Sequence, residues 1–249
     1  MANMLMKLVG WRAILLHDDP CAYQRFKWLK QNLLHGELRT LDAGCGEGAF
    51  TIYASKIGNE AVGLSFDSKS NLKASKYAQK LHCHNAKFVT VDLRYLDQQT
   101  ESLGKFDQII CFETIEHIRN DKKLIRNLVA LLKPGGRLLL TTPYKNYKHL
   151  YGDAISMTED GGHVRWGYTH KEIGKIFTQS GLDIFKEDFI GGIVSQQLTN
   201  LLRLVGKKTN RRFAWTATMP LRPVSLLDPA LTIMLRYPFH SIGIIGIKK

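Results

Sequence analysis

Cysteine is scarce in this 249-residue chain, and what there is stands far apart. Cys21, Cys45, Cys83 and Cys111 form no C-x-x-C pair, which excludes a disulfide framework and a cysteine zinc cluster and makes a reducing cytosol the natural setting. Long apolar runs are missing as well: none reaches the roughly 18 residues that crossing a bilayer takes. The opening MANMLMKLVGWRAILL is apolar, but Lys7 and Arg12 interrupt it and no small-residue cleavage site follows, so it does not read as a signal peptide. Repeats and low-complexity tracts are absent. Acid is the other shortage, with 22 Asp and Glu against 35 Lys and Arg, a formal +13. The deficit is uneven. From Gly191 onward nine Lys/Arg face one acid, Asp228, so the last 59 residues carry +8 and the first 190 the remaining +5. Such a tail suits a negatively charged partner: nucleic acid, an anionic membrane face or a phosphorylated substrate.

What is present describes a globular protein. An apolar fraction of 44% is enough for a sizeable core, and 23% charged residues is ordinary for a folded chain. RTLDA (39–43) reads as a short strand, followed by a glycine-rich turn and a helix from about Glu47 to Ile57 that Gly58-Asn59 closes. EAVGLSF is a second strand, Ser68 to Leu81 a helix, AKFVTVD a third strand. KFDQIICF is a fourth, almost wholly apolar after Asp107, as a strand buried on both faces should be. A helix over 119–132 runs into Lys133-Pro134-Gly135-Gly136, and GRLLLTTP follows as the fifth strand. His170 to Ser180 is a helix, LDIFKEDFI a sixth strand and FHSIGIIGI a seventh. Alternating strands and helices imply a parallel sheet. Between the last two strands the pattern loosens: SQQLTNLLRLV is helical, GKKTNRR a basic loop, and LLDPALTIMLRY helical again. The expected organisation is an N-terminal helical extension (1–38), a core (39–190), a basic helical insertion (191–238) too short to build its own core, and a final strand (239–249).

The strongest signal is Leu41-Asp42-Ala43-Gly44-Cys45-Gly46-Glu47-Gly48, between the first strand and the first helix. There the backbone turns sharply and approaches a ligand closely, which side chains would obstruct. Dinucleotide enzymes space their glycines G-x-G-x-x-G. Here they run G-x-G-x-G after an acid, and no pyrophosphate is implied. DAGCGEG, VGLSFD, FVTVD, FDQIICFETIEHI and LLKPGGRLLLTTP resemble, in order, the motifs of the class I S-adenosylmethionine-dependent methyltransferases, over about residues 39–190. The resemblance implies an α/β fold: a seven-stranded, mostly parallel Rossmann-like sheet with helices on both faces and the last strand antiparallel. It implies S-adenosyl-L-methionine as cofactor, with Asp42, Gly44, Cys45, Gly46 and Gly48 around its amino-acid end. Asp92 would take the adenine amino group beside Leu93, and the segment through Glu113 would line the sulfonium. One departure stands out. Where the family ends its second strand in an acid that grips the ribose, this chain has Ser65. Asp67, two residues on, is the ribose candidate; its alternative role is to cap the next helix.

Methyl transfer from a sulfonium is an in-line displacement, governed largely by alignment. A hydroxyl acceptor must also lose a proton. Glu113, Glu116 and His117 follow the fourth strand and would share one face of a helical turn. His117 is the candidate general base, because imidazole titrates near working pH; local packing is its bland alternative. E-x-x-E-H also resembles a metal-binding motif of some quinone-biosynthesis O-methyltransferases and small-RNA 2′-O-methyltransferases, with His163 as a further ligand. Many small-molecule methyltransferases carry Glu-His here without a metal, and the sequence alone assigns none. His163-Val164-Arg165-Trp166 resembles the H-x-R-x-F/Y-S/T segment of enzymes acting on quinones, lipids or glycans. Tyr144, Tyr147, Tyr151 and Trp166 would give the pocket an aromatic mouth. The expected activity is O-methylation of a small-molecule or lipid-like acceptor. Peripheral contact with an anionic membrane through Arg203, Lys207, Lys208, Arg211 and Arg212 is favoured over RNA. RNA methylation and a non-catalytic cofactor-binding scaffold are the competing readings.

Overall fold

The computed structural model describes residues 10–12 and 20–249. The opening apolar stretch, apart from residues 10–12, lies outside the described residues, as does the Arg211 side chain. The described part of the N-terminal extension contains helix α1 (Pro20–Asn32). Seven strands follow: β1 (Arg39–Ala43), β2 (Glu60–Ser65), β3 (Ala86–Thr90), β4 (Phe106–Phe112), β5 (Leu132–Pro143), β6 (Leu182–Ile190) and β7 (Ser241–Lys248). They form one sheet in the order β3-β2-β1-β4-β5-β7-β6, and β7 runs antiparallel to both its neighbours. This is the expected Rossmann-like arrangement. Strand order reverses between β1 and β4, and the crevice at the carboxyl ends of those strands is where open α/β sheets take ligands.

The centre of the sheet is apolar on both faces because alternate residues point opposite ways. In β4, Ile109 and Cys111 join one buried cluster, whereas Ile110 and Phe112 join the other. Helices α2 (Ala49–Lys56), α3 (Ser68–Lys80), α5 (Asp121–Leu131) and α6 (His170–Gln179) connect strands, together with the short α4 (Thr100–Leu103). Helix α6 starts at a capping box: Thr169 Oγ1 accepts from the Glu172 amide at 3.2 Å, and Glu172 returns a carboxylate oxygen to the Thr169 amide at 2.8 Å. α5 ends at Leu131, and the chain enters β5 at once; the Pro-Gly-Gly step is absorbed as an irregularity between the Phe106 and Gln108 pairings. β7 is wedged so tightly that a Cβ on Gly243 would meet the Trp28 ring of α1 at 2.8 Å.

Between β6 and β7 lie α7 (Ile193–Lys208), α8 (Arg211–Thr218), a 3₁₀ stretch (Met219–Leu227) and α9 (Asp228–Met234). The expected basic loop GKKTNRR is corrected here. Gly206 to Lys208 complete α7, and only Thr209 and Asn210 break the helix. The Asn210 side chain accepts from the Phe213 amide at 2.9 Å and starts α8, so the basic residues sit on helices.

Ile110 is fully buried at the middle of the sheet. Ile110→Ala is expected to cost about 2–5 kcal/mol. The measurement is a urea unfolding curve, whose midpoint falls while its slope stays as in the parent chain.

Candidate functional site

The glycine turn after β1 is held from beneath. Asp42 is buried at the end of the strand, and its carboxylate accepts the Thr51 hydroxyl of α2 at 2.7 Å. Burial pushes the Asp42 carboxyl up to about 6, and the Thr51 hydrogen bond offsets part of that rise. The Gly44 and Cys45 amides both donate to the Leu64 carbonyl of β2 at 2.9 Å, drawing the turn against the neighbouring strand. A Cβ on Gly44 would overlap the Thr114 side chain. Gly46 differs. Its φ is +53°, and a Cβ there would meet nothing within 4 Å. That open side belongs to a cavity of about 410 Å³ over the β1/β4 reversal.

Gly44, Gly46, Asp92, Leu93, Glu113 and His117 line this cavity, so six of the ten residues singled out by sequence converge on one space. Asp42, Cys45, Gly48 and Asp67 do not reach it. Cys45 is buried, its thiol pushed up by burial and by the charge of Asp42. Asp67 caps α3, accepting from the Lys69 and Ser70 amides at 3.0 and 3.1 Å and from the Ser70 hydroxyl at 2.6 Å. Those bonds, the hydroxyl first, hold its carboxyl below the usual range. Ser65, at the end of β2, does line the cavity.

Asp92 combines its cavity position with a second attachment. It accepts from Arg94 Nε at 3.0 Å and Nη2 at 2.6 Å, and this pairing, ahead of its other contacts, holds its carboxyl low. Arg94 and Phe66 were not anticipated. Arg94 reaches on to the Glu159 carbonyl at 3.3 Å, tying Asp92 to the loop whose Glu159, Asp160 and Gly161 also line the cavity. Phe66 is 69% exposed although it follows a buried strand. A bulky apolar residue immediately after the second strand was the one signal that pointed to it.

The fourth-strand cluster differs from the expected helical face. Glu113 has φ +45°, and only Ile115–His117 form a short 3₁₀ turn, so Glu113 is not on that turn. Its carboxylate accepts from the Thr141 hydroxyl at 3.0 Å and the Ser241 hydroxyl at 3.3 Å and pairs with Arg25 of α1 at 3.6 Å. Glu116 is fully buried. Burial, and then the Glu113 charge, raise its carboxyl well above the ordinary range. Glu116 Oε2 accepts from Thr142 at 3.3 Å, while Oε1 has no hydrogen-bond partner among the described residues. His117 Nδ1 is 3.1 Å from the Gly162 carbonyl. A carbonyl only accepts, so Nδ1 carries a proton, and in the neutral ring Nε2, 3.9 Å from Glu116 Oε1, holds the lone pair. His163 stands edge-on to His117 with ring centres 4.7 Å apart. Burial, then His117, lower its affinity for a proton.

The expected aromatic mouth is arranged otherwise. Tyr147 is buried and donates to Asp153 at 2.6 Å, Trp166 stacks on His149 at 3.9 Å, and neither lines the cavity. Arg165 ties its loop to the Ile118 and Arg119 carbonyls at 3.0 and 2.8 Å, because a guanidinium can bridge several acceptors at once.

Residues 17–187, well over half of the chain, match the family model described as methyltransferase domain. The chain belongs to the methyltransferase domain family. A curated relative, the ubiquinone biosynthesis O-methyltransferase of Coxiella burnetii, is 31% identical over 128 residues, 51% of this chain and 53% of the relative. This methyltransferase-family chain therefore spans about half the length of the curated relatives it matches. Among solved structures, coclaurine N-methyltransferase bound to N-methylheliamine and SAH has a TM-score of 0.61 at 13% identity, covering 92% of this chain and 72% of that one. The cyclase SpnF has a TM-score of 0.61 at 16% identity, with 91% and 81% covered. Both share the family fold, and the second is named for a different reaction.

Asp42 supplies a pH test. Its carboxyl titrates at about 6 in the folded chain against 3.8 in an open one. Its contribution to stability is therefore full below about pH 4 and is lost as pH rises through about 6. Asp42→Asn carries no such change. The stability of this variant relative to the parent is expected to rise by roughly 3 kcal/mol between about pH 4 and pH 7. Chemical unfolding at several pH values reads it, and a pH-independent difference contradicts the dry environment assigned to Asp42.

Proposed function

We infer that this chain transfers the methyl group of S-adenosyl-L-methionine to an oxygen of a small-molecule acceptor, of the quinone or lipid-like kind. The observation that carries the reading is the placement of His117: it lines the same cavity that Gly46 and Asp92 line, with its Nδ1 3.1 Å from the Gly162 carbonyl. The family supports the cofactor, and the name of the curated relatives supports the acceptor class. The cavity residues fit the cofactor's needs. Gly46 leaves room for close approach of its backbone, Asp92 offers a carboxylate to an amino group, Leu93 an apolar edge, and Ser65 a hydroxyl near the end of β2. Ser65 lining the cavity while Asp67 caps a helix favours Ser65 over Asp67 at the ribose.

When bound, S-adenosyl-L-methionine supplies a methyl carbon activated by the adjacent sulfonium. The chain then has to align an acceptor oxygen and remove its proton. His117 accepts that proton at Nε2, with Nδ1–H anchored on the Gly162 carbonyl so that the ring keeps its orientation. Arg25, Thr141 and Ser241 hold Glu113 at the base of the site. Quinones and lipids reside in bilayers, so this acceptor class carries peripheral contact with an anionic membrane face. No helix among the described residues is long and apolar enough to cross one.

A second reading concerns the same wall. Ligand atoms of Glu116, His117 and His163 all lie within 4.8 Å of one another, and Glu116 Oε1 is buried without a hydrogen-bond partner among the described residues. One carboxylate and two imidazoles would hold a divalent cation, whose charge would polarise an acceptor hydroxyl. His117 Nε2 would then be a ligand and not the base.

Two variants test the function. Gly46→Val places a branched side chain in a left-handed conformation and fills the cavity's open side, and calorimetry is expected to find no S-adenosyl-L-methionine binding to a variant that still unfolds cooperatively. His117→Ala is expected to lower transfer from tritiated S-adenosyl-L-methionine into a lysate's lipid fraction by about 10²–10⁴. Label appearing in RNA instead would overturn the acceptor class. Loss of transfer on chelation, restored by a divalent ion, would assign His117 to the cation.

A further inference from the structure

The segment joining α8 to β7 is folded inside out. Over residues 219–235 the side chains turned into the protein are polar: Arg222, Ser225, Asp228 and Thr232, at helical spacings of three and four. Each has structural work. Asp228 accepts the Val194 and Ser195 amides at 2.7 and 3.0 Å, satisfying the first turn of α7. Thr232 accepts the Ile193 amide at 3.0 Å. The Ser225 hydroxyl donates to the Arg222 carbonyl at 2.7 Å, the Ser225 carbonyl accepts from Gln24 of α1 at 2.7 Å, and Arg222 lies against the Trp215 ring. The side chains turned outward include Val224, Leu226, Leu227, Ile233, Met234 and Leu235, the last three between 55% and 69% exposed. Water reverses that arrangement in a soluble helix, so a run of exposed apolar side chains of this kind marks an interaction surface.

Charge selects its occupant. Both charged residues of the stretch, Arg222 and Asp228, are buried. At its borders the exposed charges are basic: Arg212 beside the exposed Phe213 on one side, Arg236 on the other, with Lys207 and Lys208 at the end of α7. The only acid between Gly191 and Pro238 is the buried Asp228. A second copy of this chain would bring two basic rims together, which costs energy. An anionic bilayer satisfies both features, its acyl region taking the aliphatic face and its head groups the rim.

We propose that residues 219–236 form a docking face that inserts its aliphatic side chains into an anionic lipid surface. This deepens the function proposed above and rests on it for the acceptor's location. α7 links the face to the loop that follows β5: Asn200 accepts from the Tyr151 amide at 2.8 Å, and Arg203 donates to Asp153 at 2.5 Å.

The test is co-sedimentation of the full chain, without cofactor or acceptor, with vesicles of equimolar phosphatidylcholine and phosphatidylglycerol. Binding at least about tenfold tighter than to phosphatidylcholine alone is expected, weakening with salt. The double variant Ile233→Asp, Met234→Asp alters two exposed positions away from the cavity. It is expected to lose at least about tenfold in vesicle binding while retaining the parent's unfolding transition. Absence of pelleting, or equal pelleting of parent and variant, would overturn the proposal. So would a dimer in sedimentation equilibrium that the variant abolishes, or RNA binding that it abolishes. Methyl transfer is not read here. A chain that binds vesicles but transfers nothing defeats the enzymatic reading alone; one that methylates but ignores vesicles defeats the docking face alone.

Discussion

The Asp42 carboxylate sits in an almost dry interior and holds one hydroxyl, that of Thr51, at 2.7 Å. This bond spans the glycine turn, joining the last residues of β1 to the first helix behind it. A buried carboxylate is costly in water-free surroundings, and a hydrogen bond to it is correspondingly strong. The turn therefore has little freedom to rearrange. Gly44 is pressed against Thr114 and Gly46 is left facing open space. The cavity owes its shape to that fixed bend more than to its own lining.

On the far wall two carboxylates are divided by their surroundings. Glu113 has Arg25 and two hydroxyls to hold it. Glu116 has one threonine hydroxyl and an oxygen without a hydrogen-bond partner among the described residues, and burial favours its neutral form. His117 lies between this wall and the cavity, its Nδ1 tied to a backbone carbonyl. Such a wall can receive a proton or a cation, and the glycine turn opposite can admit a nucleoside. Those are the two halves that group transfer from a sulfonium requires.

Much of this was legible beforehand. The strands were readable because each is bounded by turn residues, and β4 because its apolar run from Ile109 to Phe112 matches burial on both faces. Gly44, Gly46, Asp92, Leu93 and Glu113 were readable as site residues through motifs that resemble the family's, and His117 as an imidazole just past the fourth strand; all six line one cavity at the carboxyl ends of the parallel strands. Asp67 was ambiguous by nature, since an acid two residues past a strand and ahead of a helix serves a ribose or a cap equally well on paper. The one-faced helical turn at 113–117 failed because periodicity presumes a continuous helix, and a left-handed residue at Glu113 interrupts it. GKKTNRR read as a loop because its charge hid a helix continuation and a two-residue break.

The chain's order of elements, its glycine turn and the residue types at the strand ends were determined by the sequence alone, because turn chemistry and periodicity act over a few residues. Tertiary structure decided which groups meet. Arg25 finds Glu113 from 88 positions away, His163 finds His117 from 46, and Arg94 closes Asp92 against a loop 65 residues on. It also decided that the helices before β7 turn their polar side inward. Local pattern says only that two faces exist; which of them is buried depends on what the rest of the fold offers each to bond with.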